Sequence, residues 1–536
     1  MAFALEILEG PTPRARTYGQ ASRTIFQLEG DLAELRKSGA LDRVRGLGPS
    51  TLAVIDDVIA GREPEELVSL EGQIPAGLFE IRNIKGLGPA KIRALYEGLG
   101  ISTLGELEHA CKENRLVTLP GFGEKTQSNV LAGVQAARRH DGMHLRDAAL
   151  EMAQQLVMRA AAGKRHALVG DLATGAELVA SIAVLVEGEG AAREEIAFGE
   201  GVNGVVFHAP SERFGVVLVR ETSDAGHFTA LKARARELGR TLEDDRLVGV
   251  ATPTDASLYE ALDLHFVPTE ARREGAIFAR KGKAPKELIA RGDLRGALHN
   301  HTLASDGTAT LAQMREAAIA WGLSYLGISE HSQSADYARG LTRERIAAQL
   351  AELDAMNAEG ASCTLLSGIE SDILADGALD YPDDVLRSLE VVIASSHRRF
   401  SLDREKSTAR MVRAAGSPCT DVLGHPTGRL LLGRAPLEFD MDAVLSACVK
   451  SGCAVELNGS AHRLDFGARE LGMAKERGIL VSIAADAHAT GEIAEHLDHG
   501  IAVARRAGLT PDDILNAKPL SELRAWLTAR RARASV

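Results

Sequence analysis

This 536-residue sequence lacks any apolar run long enough to cross a membrane. A bilayer span needs about 20 consecutive apolar residues, and the longest runs, such as LVASIAVLVEG and GILVSIAADA, are much shorter. The amino terminus, MAFALEILEGPTPRARTYGQ, places acidic residues where a signal peptide needs a basic start and an apolar stretch. We therefore expect a cytoplasmic protein without a membrane partner. The sequence says little about oligomeric state, and a monomer is the expectation.

Cysteine, aromatic residues and positive charge are also scarce. The five cysteines form no CxxC pair, which argues against a disulfide framework and a thiolate zinc site. Any metal would therefore be bound by histidine and carboxylate. Aromatic residues make up 4% of the chain, so recognition of nucleic acid by base stacking is disfavoured. A net charge of −12 disfavours a surface that binds nucleic acid everywhere but leaves room for a local basic surface.

A threefold repeat is present near the amino terminus. The segments VRGLGPSTLAVIDDVI, IKGLGPAKIRALYEGL and LPGFGEKTQSNVLAGV share a small apolar entry, Gly-x-Gly and an amphipathic helix. Such glycines suit a tight turn whose backbone amides open a helix and can meet a phosphate. A packing corner between two helices is the alternative, and it suits the first copy, which is followed by two aspartates. The repeat resembles the helix-hairpin-helix module, which implies binding of the DNA backbone by Gly46, Gly48, Gly86, Gly88, Lys91, Gly121, Gly123 and Lys125.

The middle of the chain alternates between strand and helix patterns. The segment KRHALVGDLATGAELVASIAVLVEG predicts a strand, a loop and a strand. A further strand is predicted at RFGVVLVRET and a helix at FTALKARARELG. This region is therefore predicted to be α+β. Residues 270–293 are charged and without strand periodicity, so we interpret them as a connector.

In the second half, residues that can bind metals recur at the ends of β-rich runs. In a parallel α/β barrel the carboxyl ends of the strands meet at one mouth. Divalent ions bind imidazole nitrogen and carboxylate oxygen, and two or three of them together support phosphoester hydrolysis. The pattern predicts two or three divalent ions, Mn²⁺ or Zn²⁺ with Mg²⁺ possible. The candidate ligands are His299, His301, Asp306, His331, Glu370, His397, His425, Asp486 and His488.

With these residues in this order, residues 291–536 resemble a PHP (polymerase and histidinol phosphatase) domain. The resemblance implies a distorted seven-stranded barrel in which the nine residues bind a trinuclear centre. Ala297 and Glu330 stand where the family usually has Asp, and both positions are expected outside the ligand shell. Arg398 and Arg463 are candidate catalytic residues that would contact a substrate phosphate. Surface salt bridges are the alternative role for both arginines.

The order of the parts resembles that of bacterial family X DNA polymerase over nearly the whole chain. RARTYGQASRTI, GHFTALKARARELG and SLYEALDLHFVPTEAR match its amino-terminal, palm and thumb regions. Arg14, Arg16 and Arg23 are candidates for binding a 5′-phosphate, and a solvated charged face is the alternative. The resemblance implies an α-helical DNA-end-binding domain (1–80), a fingers-like helix-hairpin-helix region (81–148), a degenerate nucleotidyltransferase-like α+β palm (149–235), a thumb-like region with connector (236–290) and a PHP metal-dependent phosphoesterase domain (291–536).

The polymerase signature of that family is missing. Nucleotidyl transfer needs carboxylates that hold two Mg²⁺ ions. The Asp-x-Asp positions fall on Ser181 and Ala183, and the third acidic position falls near Val219. We therefore expect polymerase activity to be lost. The alternative is a rearranged metal site formed by three acidic residues of this region, Asp171, Glu177 and Glu187.

The sequence thus predicts a metal-dependent phosphoesterase that acts at DNA ends or gaps. A 3′-to-5′ exonuclease or 3′-end-processing enzyme of DNA repair is the leading hypothesis. Three alternatives stay open at this point: a non-catalytic DNA-end-binding scaffold, a small-molecule phosphatase of the PHP type, and a residual DNA polymerase.

Overall fold

A computed structural model of the chain describes residues 1–26, 28, 31–138, 142–197, 203–273, 286–397 and 402–534. The chain forms two compact units, residues 1–138 and 139–536. In the described ranges no helix is both long enough and apolar enough to span a membrane. The finer boundaries inside the two units stay predictions from the sequence.

The described part of the first unit is helical. Its core contains side chains from several helices, among them Leu78, Ile92 and Leu107. The helices are α1 (Ala2–Glu9), α2 (Pro13–Phe26), α3 (Leu32–Lys37), α4 (Pro49–Ile59), α5 (Glu65–Glu71), α6 (Gly77–Ile81), α7 (Pro89–Leu99), α8 (Leu104–Lys112) and α9 (Glu124–Arg138).

The second unit begins with a small α+β region. A four-stranded sheet, termed here the palm-like sheet, has the order β2-β4-β6-β5, in which β4 and β6 are parallel and the other pairs antiparallel. The elements are β1 (His144–Leu145), α10 (Arg146–Ala160), β2 (His166–Val169), β3 (Leu178–Val179), β4 (Ile182–Glu187), β5 (Arg193–Ala197), β6 (Asn203–Ala209), α11 (Phe214–Glu221), α12 (Ala225–Glu237) and α13 (Asp255–Ala261).

The strand predicted at RFGVVLVRET is wrong, because this segment forms helix α11. Its run of β-branched residues suggested a strand. The neighbouring segment β6 occupies the place beside β4 instead. Phe214 and Val217 of α11 pack with Val169, Ala183 and Leu185 of the sheet. Burial against the sheet therefore outweighs the strand preference of the valines.

A nearly closed barrel of seven parallel strands follows, as predicted. The strand order is β13-β12-β11-β10-β9-β8-β7, and helices alternate with the strands. The elements are β7 (Gly296–Ala297), α14 (Leu311–Trp321), β8 (Tyr325–Ile328), α15 (Arg343–Ala358), β9 (Thr364–Asp372), α16 (Asp383–Arg387), β10 (Val391–Ser395), α17 (Arg404–Ala415), β11 (Val422–Leu423), α18 (Met441–Ser451), β12 (Ala454–Asn458), α19 (Ala468–Glu476), β13 (Val481–Ala484), α20 (Thr490–Arg506) and α21 (Leu520–Ala534).

Short 3₁₀ helices connect these elements in both units. They span Leu41–Arg43, Leu116–Thr118, Ser211–Arg213, Thr269–Ala271, Arg291–Asp293, Asp336–Ala338, Pro511–Asp513 and Leu515–Ala517.

The first and last barrel strands approach each other beyond their carboxyl ends. The amide of Asp486 donates to the carbonyl of His299 at 2.9 Å, and the amide of His301 donates to the carbonyl of Ala487 at 2.9 Å. Strand residues such as Leu366 and Ile393 pack with Leu523 and Leu527 of α21. Apolar packing thus fills part of the barrel, while its carboxyl rim holds polar groups.

Candidate metal centre and nucleic-acid interface

The strand ends place the predicted ligands at one rim of the barrel. His299 and His301 directly follow β7 and are fully buried. Extended backbone points residues i and i+2 to the same side, and the two imidazole centroids are 5.2 Å apart. The other candidate ligands lie on or just after β8, β9, β10, β11 and β13: His331, Glu370, His397, His425, Asp486 and His488.

Asp306 reaches the same rim through a tight turn after His301. A Cβ atom at Gly307 would lie 2.8 Å from the backbone nitrogen of Thr302, so the turn requires glycine at this position. Asp306 is 4% exposed. Its carboxylate oxygens lie 3.3 Å from His331 Nε2 and 3.4 Å from His488 Nε2. The aspartate therefore joins a histidine pair contributed by two other strands.

Glu370 stands at the centre of the cluster. Its Oε1 atom lies 2.8 Å from His425 Nε2, 3.1 Å from His397 Nε2 and 3.4 Å from His299 Nε2. Its Oε2 atom lies 2.8 Å from His331 Nδ1 and 3.7 Å from His301 Nε2. One carboxylate is therefore within reach of five imidazoles, the arrangement expected of a ligand shared by more than one ion.

Eight of the nine candidate ligands, all but His425, form three overlapping groups, each with all its potential ligand atoms within 4.8 Å of one another. His301 and His331 each belong to two of the groups. The groups are His301, Asp306, His331 and His488; His299, His301 and Asp486; and His331, Glu370 and His397. Their overlap supports more than one ion in a single cluster.

Charge in the cluster is balanced between imidazoles and carboxylates. Burial raises the pKa of a carboxyl, but His331 and His488 outweigh it and hold the pKa of Asp306 well below its usual range. Burial likewise opposes ionisation of Glu370, yet neighbouring imidazoles, His397 first, hold its pKa well below its usual range. Burial and the imidazoles of His488 and His331 lower the pKa of His301 to about 4. Ionised carboxylates and a neutral imidazole are the forms that bind metals.

The cluster also contains buried atoms that need a partner. Among the described residues, Nε2 of His299, Oδ2 of Asp306 and Oε2 of Glu370 are buried and make no hydrogen bond of good geometry, although an imidazole or carboxylate atom lies within 3.4 Å of each. Buried polar atoms without partners cost free energy, and a bound divalent ion would satisfy atoms of this kind. The donor set, histidine with carboxylate and without thiolate, fits Zn²⁺ or Mn²⁺.

Two carboxylates orient the candidate ligands from behind. Glu456 Oε2 lies 2.8 Å from Nδ1 of His299, and Asp372 Oδ1 lies 2.6 Å from Nδ1 of His397. Such contacts fix the ring orientation of a ligating histidine. The sequence reasoning did not assign either role. Asp372 lies two residues after Glu370 on β9 and so on the same face of the strand, which is a signal in the sequence. Glu456 lies on β12, the barrel strand without a predicted ligand, and no local pattern indicates its contact with His299.

Glu330 lies outside the ligand groups, where the sequence placed it. It accepts hydrogen bonds from the Thr302 amide at 3.1 Å and from Gln349 Nε2 at 3.2 Å. It also contacts the hydroxyl of Ser305. Glu330 therefore stabilises the turn that delivers Asp306. Ala297, the other position of this kind, is fully buried in β7.

One of the two candidate catalytic arginines lies beside the cluster. Arg463 is 4% exposed, and its Nε atom lies 3.8 Å from Asp486 Oδ2. A surface salt bridge is therefore the wrong description of Arg463. Arg398 lies outside the described residues.

The three repeats form glycine turns that precede helices. Gly46, Gly86 and Gly121 have φ angles of 99°, 91° and 82°, values that favour glycine. Gly48, Gly88 and Gly123 directly precede α4, α7 and α9. The turn geometry expected from the sequence is therefore present in all three copies.

The second and third turns are more open than the first. A Cβ atom at Gly86 or Gly121 would have no atom within 4 Å, whereas one at Gly46 would lie 3.5 Å from Thr24 Oγ1. The ammonium of Lys91 donates to the carbonyl of Gly86 at 3.3 Å and lies 5.5 Å from the ring centroid of Phe122. Lys91 thus links the second and third turns. Lys125 is exposed.

The amino-terminal arginines already have partners in part. The guanidinium of Arg14 pairs with Glu66 and lies 3.6 Å from Glu9 Oε1. Arg16 Nη2 donates to the carbonyl of Pro11 at 2.9 Å. The carboxylates near Arg14 weaken the case for a 5′-phosphate site at that side chain.

Comparison with known proteins gives matches to both halves of the chain. A family profile described as SAM-like Helix-hairpin-helix tandem matches residues 79–135. A Bacillus subtilis (strain 168) protein named DNA polymerase/3′-5′ exonuclease PolX is 31% identical over 555 residues, which cover 97% of this chain and 96% of that protein. The chain belongs to the PolX family.

Within this PolX chain the barrel has shorter relatives of its own. A probable phosphatase of Thermoanaerobacter sp. (strain X514) is 27% identical over 229 residues, which cover 41% of this chain and 88% of that protein. A probable phosphatase of Caldanaerobacter subterraneus subsp. tengcongensis is 28% identical over 179 residues, or 32% of this chain and 67% of that protein.

The palm-like sheet of this PolX chain differs from the barrel rim in the side chains that its strands carry. Ala183 of β4 pairs with Val205 of β6. The third acidic position, predicted near Val219, was wrongly placed, because Val219 lies in α11. The strand beside β4 is β6, with the sequence NGVVFHA and no carboxylate. In the described residues, β4 and β6 offer a single carboxylate, Glu187 at the end of β4, which lies 3.4 Å from Arg165.

The alternative of a rearranged metal site has no support in the described residues. Asp171 Oδ2 accepts a hydrogen bond from the Ala180 amide at 2.9 Å. Glu177 contacts residues of the barrel at 2.8 and 3.1 Å. No potential ligand group among the described residues contains Asp171, Glu177 or Glu187.

Proposed function

We propose that this protein is a metal-dependent phosphoesterase that shortens or processes DNA from 3′ ends, and that it has lost polymerase activity. The observation that supports this most directly is the set of three potential ligand groups at the barrel rim, which overlap through His301 and His331. The similarity to a protein named DNA polymerase/3′-5′ exonuclease over nearly the whole length of both chains points to DNA as the substrate.

The nine rim residues would hold two or three divalent ions, Mn²⁺ or Zn²⁺ in preference to Mg²⁺. When bound, such ions supply Lewis acidity and positive charge for phosphodiester hydrolysis. The protein orients the ligands through Glu456 and Asp372, whose contacts fix the rings of His299 and His397. Arg463 would place a further cation beside the phosphate that is cleaved. Arg398 is the second candidate for that role.

The loss of polymerase activity is proposed from the palm-like sheet. Ala183 is 4% exposed and packs in an apolar cluster with Val169, Leu185 and Val217. A pair of Mg²⁺ ions needs several carboxylate oxygens to hold it against a triphosphate. The paired strand positions Ala183 and Val205 supply none.

DNA binding is proposed for the second and third helix-hairpin-helix turns, with the first in a supporting role. Gly86, Gly88, Gly121 and Gly123 would bring backbone amides to DNA phosphates at ends or gaps, with Lys91 or Lys125 adding charge. The exposed position of Lys125 supports this. We further propose that the protein acts in DNA repair as a cytoplasmic monomer.

The proposal is tested with a 5′-labelled primer annealed to a template, Mn²⁺ and the purified full-length protein. The expected product is a ladder that shortens from the 3′ end and stops at a phosphorothioate linkage. A matched primer with a 3′-phosphate distinguishes end processing from stepwise degradation. Labelled products that differ by one nucleotide support the exonuclease. A primer that stays intact under all metal conditions contradicts the proposal.

A small-molecule phosphatase is the second candidate function. It is favoured by the relatives named probable phosphatases, which match the barrel alone. Phosphate release from aryl or sugar monophosphates without any shortening of DNA would establish it in place of the nuclease.

A further inference from the structure

The loop of residues 170–177, between β2 and β3, lies against the barrel. Arg506 Nη1 of α20 donates to the carbonyl of Thr174 at 2.9 Å. A Cβ atom at Gly175, whose φ is 69°, would lie 2.7 Å from the carbonyl oxygen of Ala502. The close approach needs glycine at this position. The loop is therefore in intimate contact with the barrel although the palm-like sheet has lost its acidic positions.

Glu177, at the end of this loop, makes two contacts with the barrel through one carboxylate. Its Oε1 atom accepts a hydrogen bond from the amide of Ala468 at 3.1 Å, and its Oε2 atom lies 2.8 Å from Arg429 Nη2. Helix α19 starts after Gly467, which has no side chain to cap it. Glu177 therefore supplies the side-chain cap that Gly467 cannot provide at the amino end of this helix.

Arg429 extends the contact towards the metal centre. Its Nε atom donates to the carbonyl of Arg463 at 2.9 Å, and its Nη2 atom donates to the carbonyl of Leu464. The Arg463 side chain lies 3.8 Å from Asp486 Oδ2. A continuous path of polar contacts thus runs from Glu177 through Arg429 to the backbone that presents Arg463.

The pair is shielded enough for its charge to matter. The Glu177 side chain is 26% exposed and that of Arg429 is 15% exposed. Partly buried ion pairs are screened less than surface pairs. An uncharged residue at position 177 would remove the Glu177 carboxylate from the guanidinium of Arg429, which would still hold two backbone carbonyls.

We infer that Glu177 is a positioning residue for the hydrolytic site, acting through Arg429 on the placement of Arg463. The palm-like region then stabilises the barrel backbone that presents Arg463, a role independent of nucleotidyl transfer. This inference rests on the proposed function of the barrel rim. Glu177 does not touch the candidate ligands, so its effect is on the geometry of Arg463.

The test compares E177A and E177Q with a control, E270A, in the full-length protein. Glu270 makes a similar ion pair, 2.7 Å from Arg505 Nε of the barrel, but does not contact the Arg463 loop. Outer contacts of a metal site typically affect activity roughly 10- to 100-fold, and we expect E177A to lower kcat about tenfold, at the lower end of that range. E177Q, which keeps an acceptor for Ala468, should lose less. E270A should retain the wild-type kcat.

Two further readouts separate positioning from loosened docking. Hydrogen exchange followed by mass spectrometry should rise at residues 460–468 in E177A and stay at the wild-type level there in E270A. In an R463A background, E177A should cause no further loss of kcat, because its effect passes through Arg463. Bound metal per chain should be the same in E177A and wild type.

The inference is overturned if E177A and E270A exchange alike at residues 460–468, or if E177A causes its full loss in the R463A background. The exchange result does not depend on any substrate. If the wild type leaves DNA intact, the nuclease proposal fails, while the exchange experiment still decides the role of Glu177. Hydrolysis of an aryl phosphodiester then replaces DNA in the kinetic comparison.

Discussion

The rim of the barrel and the palm-like sheet both present neighbouring parallel strands, but they differ in the residues placed on them. At the rim, Glu370 of β9 has five imidazoles within 3.7 Å. In the palm-like sheet, the neighbours Ala183 and Val205 are part of an apolar cluster. The difference teaches that a strand arrangement supplies the place for a site and that the side chains decide whether chemistry occurs there.

The two regions also differ in what keeps them stable. The buried carboxylates of the rim need imidazoles and, by our proposal, metal ions to offset the loss of hydration. Val184 and Val206 of the palm-like sheet are fully buried among apolar side chains and need no such partner. Changes to charge should therefore affect the rim far more than the palm-like sheet.

The largest effect is expected from E370Q. The change removes the charge shared among the histidines, so bound metal and hydrolysis should both fall, with kcat reduced about 10³-fold. Activity and metal content by mass spectrometry measure the result. E359Q is the matched control, since Glu359 is a solvent-exposed partner of Arg315. Wild-type activity in E370Q would show that the barrel rim is not the hydrolytic site.

Metal binding should stabilise the barrel selectively. Mn²⁺ at about 100 times its dissociation constant adds about 2.7 kcal/mol to the free energy of unfolding of the part that binds it. Hydrogen exchange with and without a chelator should show protection by Mn²⁺ in β7 to β13 and none in β2 to β6. Equal protection in both regions would contradict the prediction that Mn²⁺ binds at the barrel and not at the palm-like sheet.

The next effect is expected from E456Q and D372N. Both keep the shape of the side chain but weaken the contact with a ligand histidine, so kcat should fall roughly 10- to 100-fold. Steady-state kinetics give kcat and KM separately, and we expect the loss mainly in kcat. D376N is a control from the loop that follows β9, because Asp376 is exposed and pairs with Arg413. Equal kinetics for D372N and D376N would refute the orienting role of Asp372.

His227 sharpens the comparison by showing a buried histidine away from carboxylate ligands. Its Nε2 atom lies 2.8 Å from the hydroxyl of Tyr259. Burial, followed by the charge of Arg272, lowers the pKa of His227 to about 4, although Asp224 opposes the shift. At the rim, burial is outweighed by Asp486, Glu456 and Glu370, which raise the pKa of His299 well above its usual value.

The lowered pKa of His227 predicts a pH-dependent stability of the cluster formed by helices α11, α12 and α13. The folded state keeps His227 neutral, whereas the unfolded chain binds a proton below about pH 6.5. The contribution of neutral His227 to the free energy of unfolding is complete above that pH and is lost as the pH falls towards 4. The loss is on the order of 2 kcal/mol between pH 7 and 5. Denaturant unfolding of wild type and H227Q measures the difference. An identical pH slope for the two proteins would contradict the prediction.

The convergence of the candidate ligands at one rim was predictable because parallel strands have a strong geometric rule. His331, His397 and His425 each follow a short apolar run, and such runs end at the same mouth of a barrel. The contact between His299 and Glu456 joins residues 157 positions apart, and no local pattern reports a contact of that kind. The role of Glu456 therefore needed the structure.

The prediction failed where local preference and tertiary packing disagree. The valine-rich segment that forms α11 has the composition of a strand, and the adjacent segment β6 competes for the same place in the sheet. The contact of Glu177 with Arg429 was also invisible in the sequence, since it joins the palm-like region to the barrel.

Anomalous diffraction from crystals grown with Mn²⁺ tests the central claim most directly, since one map covers both regions. The account predicts strong peaks at the barrel rim among His301, Glu370 and Asp486, and none between β4 and β6. Peaks beside Ala183 and Val205, or a rim without any peak at saturating Mn²⁺, would contradict it.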